Sequence, residues 1–275
     1  MRTNIHLSVH LFAESAMQPT LAYFDAASGI LARIRDTQMD AINRAADICA
    51  RSIAGDALVH LFATGHSRVF VEEMFPRYGS FPGFHGIVEL SLTFHNQVVG
   101  ANGQRQALFI ERTEGLAPAI LRNFVFTEPD SFMIFSNSGV NEAVVDMAVE
   151  VKKLGLPLIA VTSIEHSSTA KPRHSSGKRL SELADVVIDN CVPPGDAVVR
   201  VPGMDDPVGP ASTIAMAAIT NAIKIATAER LTAQGITMPV ITSSVFIGSE
   251  ESTKRFDAAY DEYRRRMVRA YGGKA

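Results

Sequence analysis

The amino-acid sequence predicts an α/β fold: a doubly wound, mostly parallel five-stranded sheet with helices on both faces. Three observations carry this expectation. Short apolar runs such as Ala57 to Ala63 read as strands buried on both faces, as parallel sheets require. Stretches of helical period alternate with these runs, which is the pattern of strand–helix–strand units. Glycines stand where helices must stop, Gly55 and Gly155 among them. In a sheet of this kind a ligand sits beyond the carboxyl ends of the strands.

Taken in order, residues 1–30 read as a partly ordered leader. Its run from Ile5 to Ala13 is apolar, but His6, Ser8 and His10 interrupt it and only Arg2 precedes it. No small-x-small site follows, so it does not read as a signal peptide, and Met17 is an alternative start. From Leu31 to Ile53 apolar residues recur at Ile34, Ile42, Ala45, Cys49 and Ile53, which predicts one long amphipathic helix. After the strand 57–63, the residues Ser131 to Phe135 form a second buried run. Asn141 to Leu154 then reads as a helix whose stripe is Val144, Met147, Ala148, Val151 and Leu154. Strands follow at 157–161 and 185–189, the latter preceded by a short helix over 181–184.

Two stretches break the alternation. Tyr78 to Gly115 includes a strand-like segment, His85 to Phe94, and Val192 to Pro210 is rich in proline and glycine. Long irregular connections in a compact domain tend to be functional, so both read as lids or subunit contacts. The main domain is expected over 31–235. A C-terminal extension over 236–275 ends in a helix, Glu251 to Ala270, with a stripe of Phe256, Ala259, Tyr260, Tyr263 and Met267 as a docking face.

Composition narrows the function. Hydrophobic residues make up 47% and charged residues 20% of the chain, enough to bury a substantial core. A net charge of −3 supplies no basic field for a polyanion, which argues against nucleic acid. The alanine-rich segment Ala211 to Ala228 carries Ser212, Thr213, Thr220, Asn221 and Lys224, so it reads as a buried helix and not as a membrane span. Two cysteines far apart, Cys49 and Cys191, fit a reducing compartment, hence a cytoplasmic protein.

The chemistry concentrates in two turns. Ser136-Asn137-Ser138-Gly139-Val140-Asn141 joins a strand to a helix, where outward N–H groups and the helix dipole favour an anion. The hydroxyls of Ser136 and Ser138 and the amide of Asn141 add donors, and Gly139 lets the backbone come close. An ordinary turn with Asn141 as N-cap is the competing reading. The first strand is followed by Thr64-Gly65-His66-Ser67 and then a helix containing Glu72 and Glu73.

A Gly-x-Ser turn after one strand and a Ser-x-Ser-Gly-x-Asn turn after the next resemble the SIS, or sugar isomerase, phosphosugar-binding domain, over roughly 31–231. Gly177-Lys178 followed by Leu183-Ala184-Asp185 is similar to the same region of phosphoheptose isomerases. The segments Glu72 to Arg77 and Gly100 to Gln106 look like those of a bacterial branch of the family related to these enzymes.

The resemblance implies a phosphorylated or similarly anionic sugar, held by Ser67, Ser136, Ser138, Gly139 and Asn141, with Thr162 and Lys178 nearby. It implies Glu73 as the base of an aldose–ketose isomerisation, Glu72 being its rival because the interval from Ser67 is about one helical turn short. His66 or Arg77 would serve the enediolate oxygen. The family's histidine on a late helix has no counterpart between Ala211 and Gln234, which leaves His95, His166, His174, Glu89, Glu111 and Glu114 as substitutes.

No close His/Cys pair has ligand spacing, so neither a metal nor another cofactor is expected. Lyase chemistry, as in N-acetylmuramic acid 6-phosphate etherases, and a sulfonated sugar fit the same anion site. The family also serves as a ligand sensor in transcription factors. About 30 residues before the first helix leave no room for their helix-turn-helix, so a sensor here would act through a separate partner protein. Family members pair through the first helix, which implies a homodimer or homotetramer.

Overall fold

The computed structural model describes residues 18–93, 99–100 and 103–272. Helix α1 (Pro19–Thr37) and helix α2 (Met39–Ala54) open the chain. The single helix expected from Leu31 is thus two, and the first begins twelve residues earlier, inside the stretch read as a leader. The break lies at Gln38, whose side-chain Oε1 accepts the N–H of Asp189 at 3.0 Å. The apolar run 5–13 and Met17 lie outside the described residues.

The first strand β1 (Val59–Ala63) runs into a 3-10 turn, Gly65–Arg68, and helix α3 (Val69–Met74). Strand β2 (Phe84–Ile87) is shorter than the expected 85–94, because the chain leaves the sheet for a 3-10 turn at Leu90–Leu92. Phe94 itself is outside the described residues. Helices α4 (Gln104–Ile110) and α5 (Leu116–Leu121) lead to β3 (Ser131–Phe135), α6 (Glu142–Lys153) and β4 (Leu158–Thr162). Short helices α7 (Ile164–Thr169) and α8 (Leu180–Leu183) precede β5 (Val186–Asp189).

These five strands form one sheet in the order β2-β1-β3-β4-β5, with every pairing parallel. The sequence pattern explains its two cores. Alternate residues of each strand face opposite sides. Leu61, Ala63, Met133, Phe135, Ile159 and Val161 pack with α1, α2 and the later helices. Phe62, Phe132, Ile134, Leu158 and Ala160 pack with α5, α6 and α8. Of the stripe expected on α6, Leu154 is the exception: it falls just past the helix end and is 48% exposed.

The proline- and glycine-rich stretch folds as a small antiparallel ribbon, β6 (Ala197–Val199) with β7 (Val208–Pro210), held to α1 by the Tyr23 hydroxyl, which donates to the Pro210 carbonyl at 2.9 Å. Helix α9 (Ser212–Ala233) follows, then α10 (Ser244–Ile247) and α11 (Ser249–Ala270). No helix among the described residues is long and apolar enough to cross a membrane. The C-terminal stretch is built into the main core through Ile241 and Ala259. Of the stripe read as a docking face on α11, Ala259 and Met267 are buried while Tyr260 is 45% exposed.

Candidate functional site

Strands β1 and β3 are neighbours, paired through Ala63 and Phe135, and the strand order reverses between them. The turns after these two strands therefore open into the same crevice, at the position where open α/β sheets bind ligands. Gly65 and Gly139 both have positive φ, 57° and 63°. At Gly139 space also demands glycine, since a Cβ would lie 2.8 Å from Thr162 Oγ1 and 3.4 Å from Ser167 Oγ. A cavity of about 360 Å³ lies at this edge. His66, Ser67 and Phe70 line it from the β1 side and Asn137 from the β3 turn, while Asp196, Pro210, Ser212 and Thr213 close it from the ribbon and the start of α9.

The expected anion ligands divide into free and committed groups. The hydroxyls of Ser67 and Ser138 have no hydrogen-bond partner among the described residues, nor do the backbone N–H groups of Ser138, Val140 and Asn141. The Ser136 hydroxyl instead accepts the Gly139 N–H at 3.1 Å and so closes the turn. Asn141 stands at the N-cap of α6, but its side chain is used elsewhere: Nδ2 donates to Glu111 Oε1 at 3.0 Å, and Oδ1 accepts from Arg173 at 3.4 Å. Its side-chain amide is therefore engaged by the protein's own groups.

Thr162 also departs from expectation. It is fully buried beneath the turn, its hydroxyl donating to the Asn137 carbonyl at 3.3 Å, so it supports the loop and does not face the crevice. Lys178 is exposed on the 170–179 loop and does not line the cavity. His66 is exposed at the cavity mouth, and its ring has no partner among the described residues.

The two glutamates of α3 are distinguished by their exposure. The Glu72 side chain is 56% exposed and pairs with Arg68 at 2.6 Å along the helix surface. Glu73 is 15% exposed; its carboxylate accepts from Asn221 Nδ2 at 2.8 Å and from Arg77. Beside it, the buried Lys224 ammonium donates to the Glu73 carbonyl at 2.8 Å and to Asn221 Oδ1 at 3.2 Å. Burial holds this ammonium below its ordinary pKa, partly offset by the Glu73 charge. Glu73 does not line the cavity but lies three residues beyond Phe70, which does, on the same helix face.

Of the alternative acids and bases, His166 Nδ1 lies 3.4 Å from Asn137 Nδ2, and His174 is buried against its own loop, 2.9 Å from the Ser176 hydroxyl. The Glu114 carboxylate is taken up by Ser175. His95 is outside the described residues. Glu111 is buried between the two turns, with burial raising its pKa against the opposing pull of Thr64, Arg112 and Arg173.

Several site residues were not singled out from the sequence. Asp196, at φ 70°, caps α9 by accepting the N–H groups of Ala211 at 3.0 Å and Ser212 at 2.7 Å and the Ser212 hydroxyl at 2.7 Å. Asn137 is fixed by the buried Asn190, whose Nδ2 donates to Asn137 Oδ1 at 2.8 Å. The readable signal for Asp196 was Gly195-Asp196 ahead of a long helix. For Lys224 it was a lone lysine on an apolar helix face.

Residues 22–163 match the model of the SIS domain, and the chain belongs to the SIS domain family. A UPF0309 protein of Streptomyces griseus is 34% identical over 89% of this chain and 95% of its own length. One from Listeria innocua is 31% identical over 87% and 95%. Among solved structures, a phosphoheptose isomerase from Francisella tularensis aligns with a TM-score of 0.49 at 13% identity, covering 78% of this chain and 99% of that one.

Proposed function

We propose that this protein binds a phosphorylated or similarly anionic sugar above β1 and β3 and enolises it, as an aldose–ketose isomerase or a related lyase. One observation carries the anion site: among the described residues the Ser138 hydroxyl and the turn amides of Ser138, Val140 and Asn141 are unpaired at the start of the twelve-residue helix α6, and the uncommitted Ser67 hydroxyl stands on the neighbouring turn after β1. Donors left unpaired at a helix N-terminus favour a phosphate, a sulfonate or a carboxylate. Membership of the SIS family narrows the anion to one carried by a sugar.

Enolisation needs a base that removes the C2 proton and returns it at C1. In this reading a sugar anchored at the turns extends past Phe70, so that its reacting carbons meet Glu73, with His66 or Arg77 serving the oxygen. Glu73→Gln then abolishes exchange of the C2 proton in deuterated water while affinity stays within about threefold; undiminished exchange removes Glu73 from the reaction.

A second reading, a sensor that binds without turnover and acts through a partner protein, is favoured by one fact. The Glu73 carboxylate is already engaged by Asn221 and Arg77. Binding without exchange in the unmodified protein selects the sensor. Both readings place the protein in the cytoplasm as a homodimer or homotetramer, and light scattering that reports a monomer removes the assembly part.

A further inference from the structure

Glu111 follows helix α4 in a segment that contributes nothing to the sheet, yet it sits between the two turns of the crevice. Its Oε2 accepts the Thr64 hydroxyl at 3.0 Å, and Thr64 is the first residue after β1. Its Oε1 accepts the Asn141 amide at 3.0 Å, and Asn141 is the residue before α6. Its backbone carbonyl accepts the N–H of Ala143 at 2.9 Å, in the first turn of α6. One residue thus fixes the turn that carries Ser67 to the turn that carries Ser138. It also directs Asn141 Oδ1 outward, where it accepts from Arg173.

We infer that Glu111 is a positioning residue that clamps the two ligand turns at a fixed separation and, through Asn141, aims Arg173 at the bound anion. This rests on the anion site proposed above. The clamp also matters electrostatically, because it puts a carboxyl group behind a site for anions. The groups facing it are Thr64 from the β1 turn, Asn141 from α6, its neighbour Arg112, and Arg173 from the 170–179 loop. Since burial raises the Glu111 pKa, acidification neutralises it earlier than an ordinary carboxylate. A protonated carboxyl still bridges, accepting from Asn141 at one oxygen and donating to Thr64 from the other. Anion affinity therefore rises as pH falls through this titration, with the clamp intact.

Glu111→Gln copies the protonated state, with its carbonyl available to Asn141 and its amide to Thr64. Glu111→Ala removes both bridges. The probe is inorganic sulfate, whose charge is constant between about pH 5 and about pH 8, far above any pKa it has. Calorimetric titration of the full chain is expected to give three results. E111A raises the Kd for sulfate by about tenfold or more, while E111Q, already uncharged, binds near neutrality as tightly as the unmodified protein does once acidified. The gain in affinity on acidification is larger in the unmodified protein than in E111Q.

Equal sulfate affinity in folded E111A overturns the clamp, as does a weakening in E111Q as large as in E111A. Should E111A fail to fold, Thr64→Val removes one bridge at constant shape, and an unchanged Kd in that variant overturns the inference equally. If the folded, unmodified protein binds neither sulfate nor any sugar phosphate, the anion site itself is wrong. That failure is distinct from one confined to the variants.

Discussion

Gly139 shows how a single residue sets the crevice. Its φ of 63° and the 2.8 Å approach of Thr162 Oγ1 to any added Cβ leave room for hydrogen alone. Gly139→Ala is expected to lower stability by about 1–3 kcal/mol in urea unfolding and to weaken sugar-phosphate binding, because relieving the contact displaces Ser138. An unchanged unfolding midpoint contradicts this account of the turn. The turn and its glycine were legible, because Ser-x-Ser-Gly between a strand and a helix marks a tight connection. Thr162 and Asn141 were not, since a polar residue at a strand end or an N-cap can serve its own backbone or a ligand. Only the tertiary partners, the Asn137 carbonyl and Glu111, decide which.

Among the elements, the central strands β1, β3 and β4 were read well because both faces of each are buried and apolar runs leave little choice. The division between α1 and α2 was not legible: Gln38 is neither glycine nor proline, and its role depends on Asp189, 151 residues away. The β1–β2 pair carries a feature that the strand pattern concealed. His60 and His85 sit opposite each other in register with their Nδ1 atoms 2.9 Å apart, and both rings are buried. One Nδ1 must donate and the other accept, so the accepting ring is neutral. Placing a proton on His60 Nε2, 3.7 Å from Asp130 Oδ1, makes His85 the donor.

Burial, with a smaller contribution from His60, holds the His85 pKa down at about 3, against an unfolded value of 6.5. A depressed folded-state pKa means that this stability is complete above about pH 6.5 and is lost as pH falls toward 3. The unfolding midpoint is expected to drop over that window, and His85→Gln to flatten the decline. A slope unchanged in the variant assigns the acid sensitivity to other groups.

Taken as a whole, the molecule has its candidate site at the carboxyl ends of the strands and its fastening at the amino ends. At the amino ends of the strands, Arg266 of α11 donates to the Ile53 and Ala57 carbonyls at 3.0 and 2.8 Å, and Arg265 and Arg269 hold Asp56. The extension from 236 is thereby locked to the sheet, which its amphipathic stripe suggested in part but whose arginine contacts no periodicity could show. At the carboxyl ends lie the two turns, the ribbon and the start of α9. Everything proposed about function depends on an anion entering there.

Calorimetric titration of the unmodified protein and its Ser138→Ala variant, with a panel of sugar phosphates and their uncharged parent sugars, tests that dependence most directly. The account predicts saturable binding of at least one sugar phosphate, none of its neutral parent, and a Kd about tenfold higher in the variant at an unchanged melting temperature. Equal affinity for the charged and neutral sugars, or a variant that binds as well as the parent protein, would contradict it.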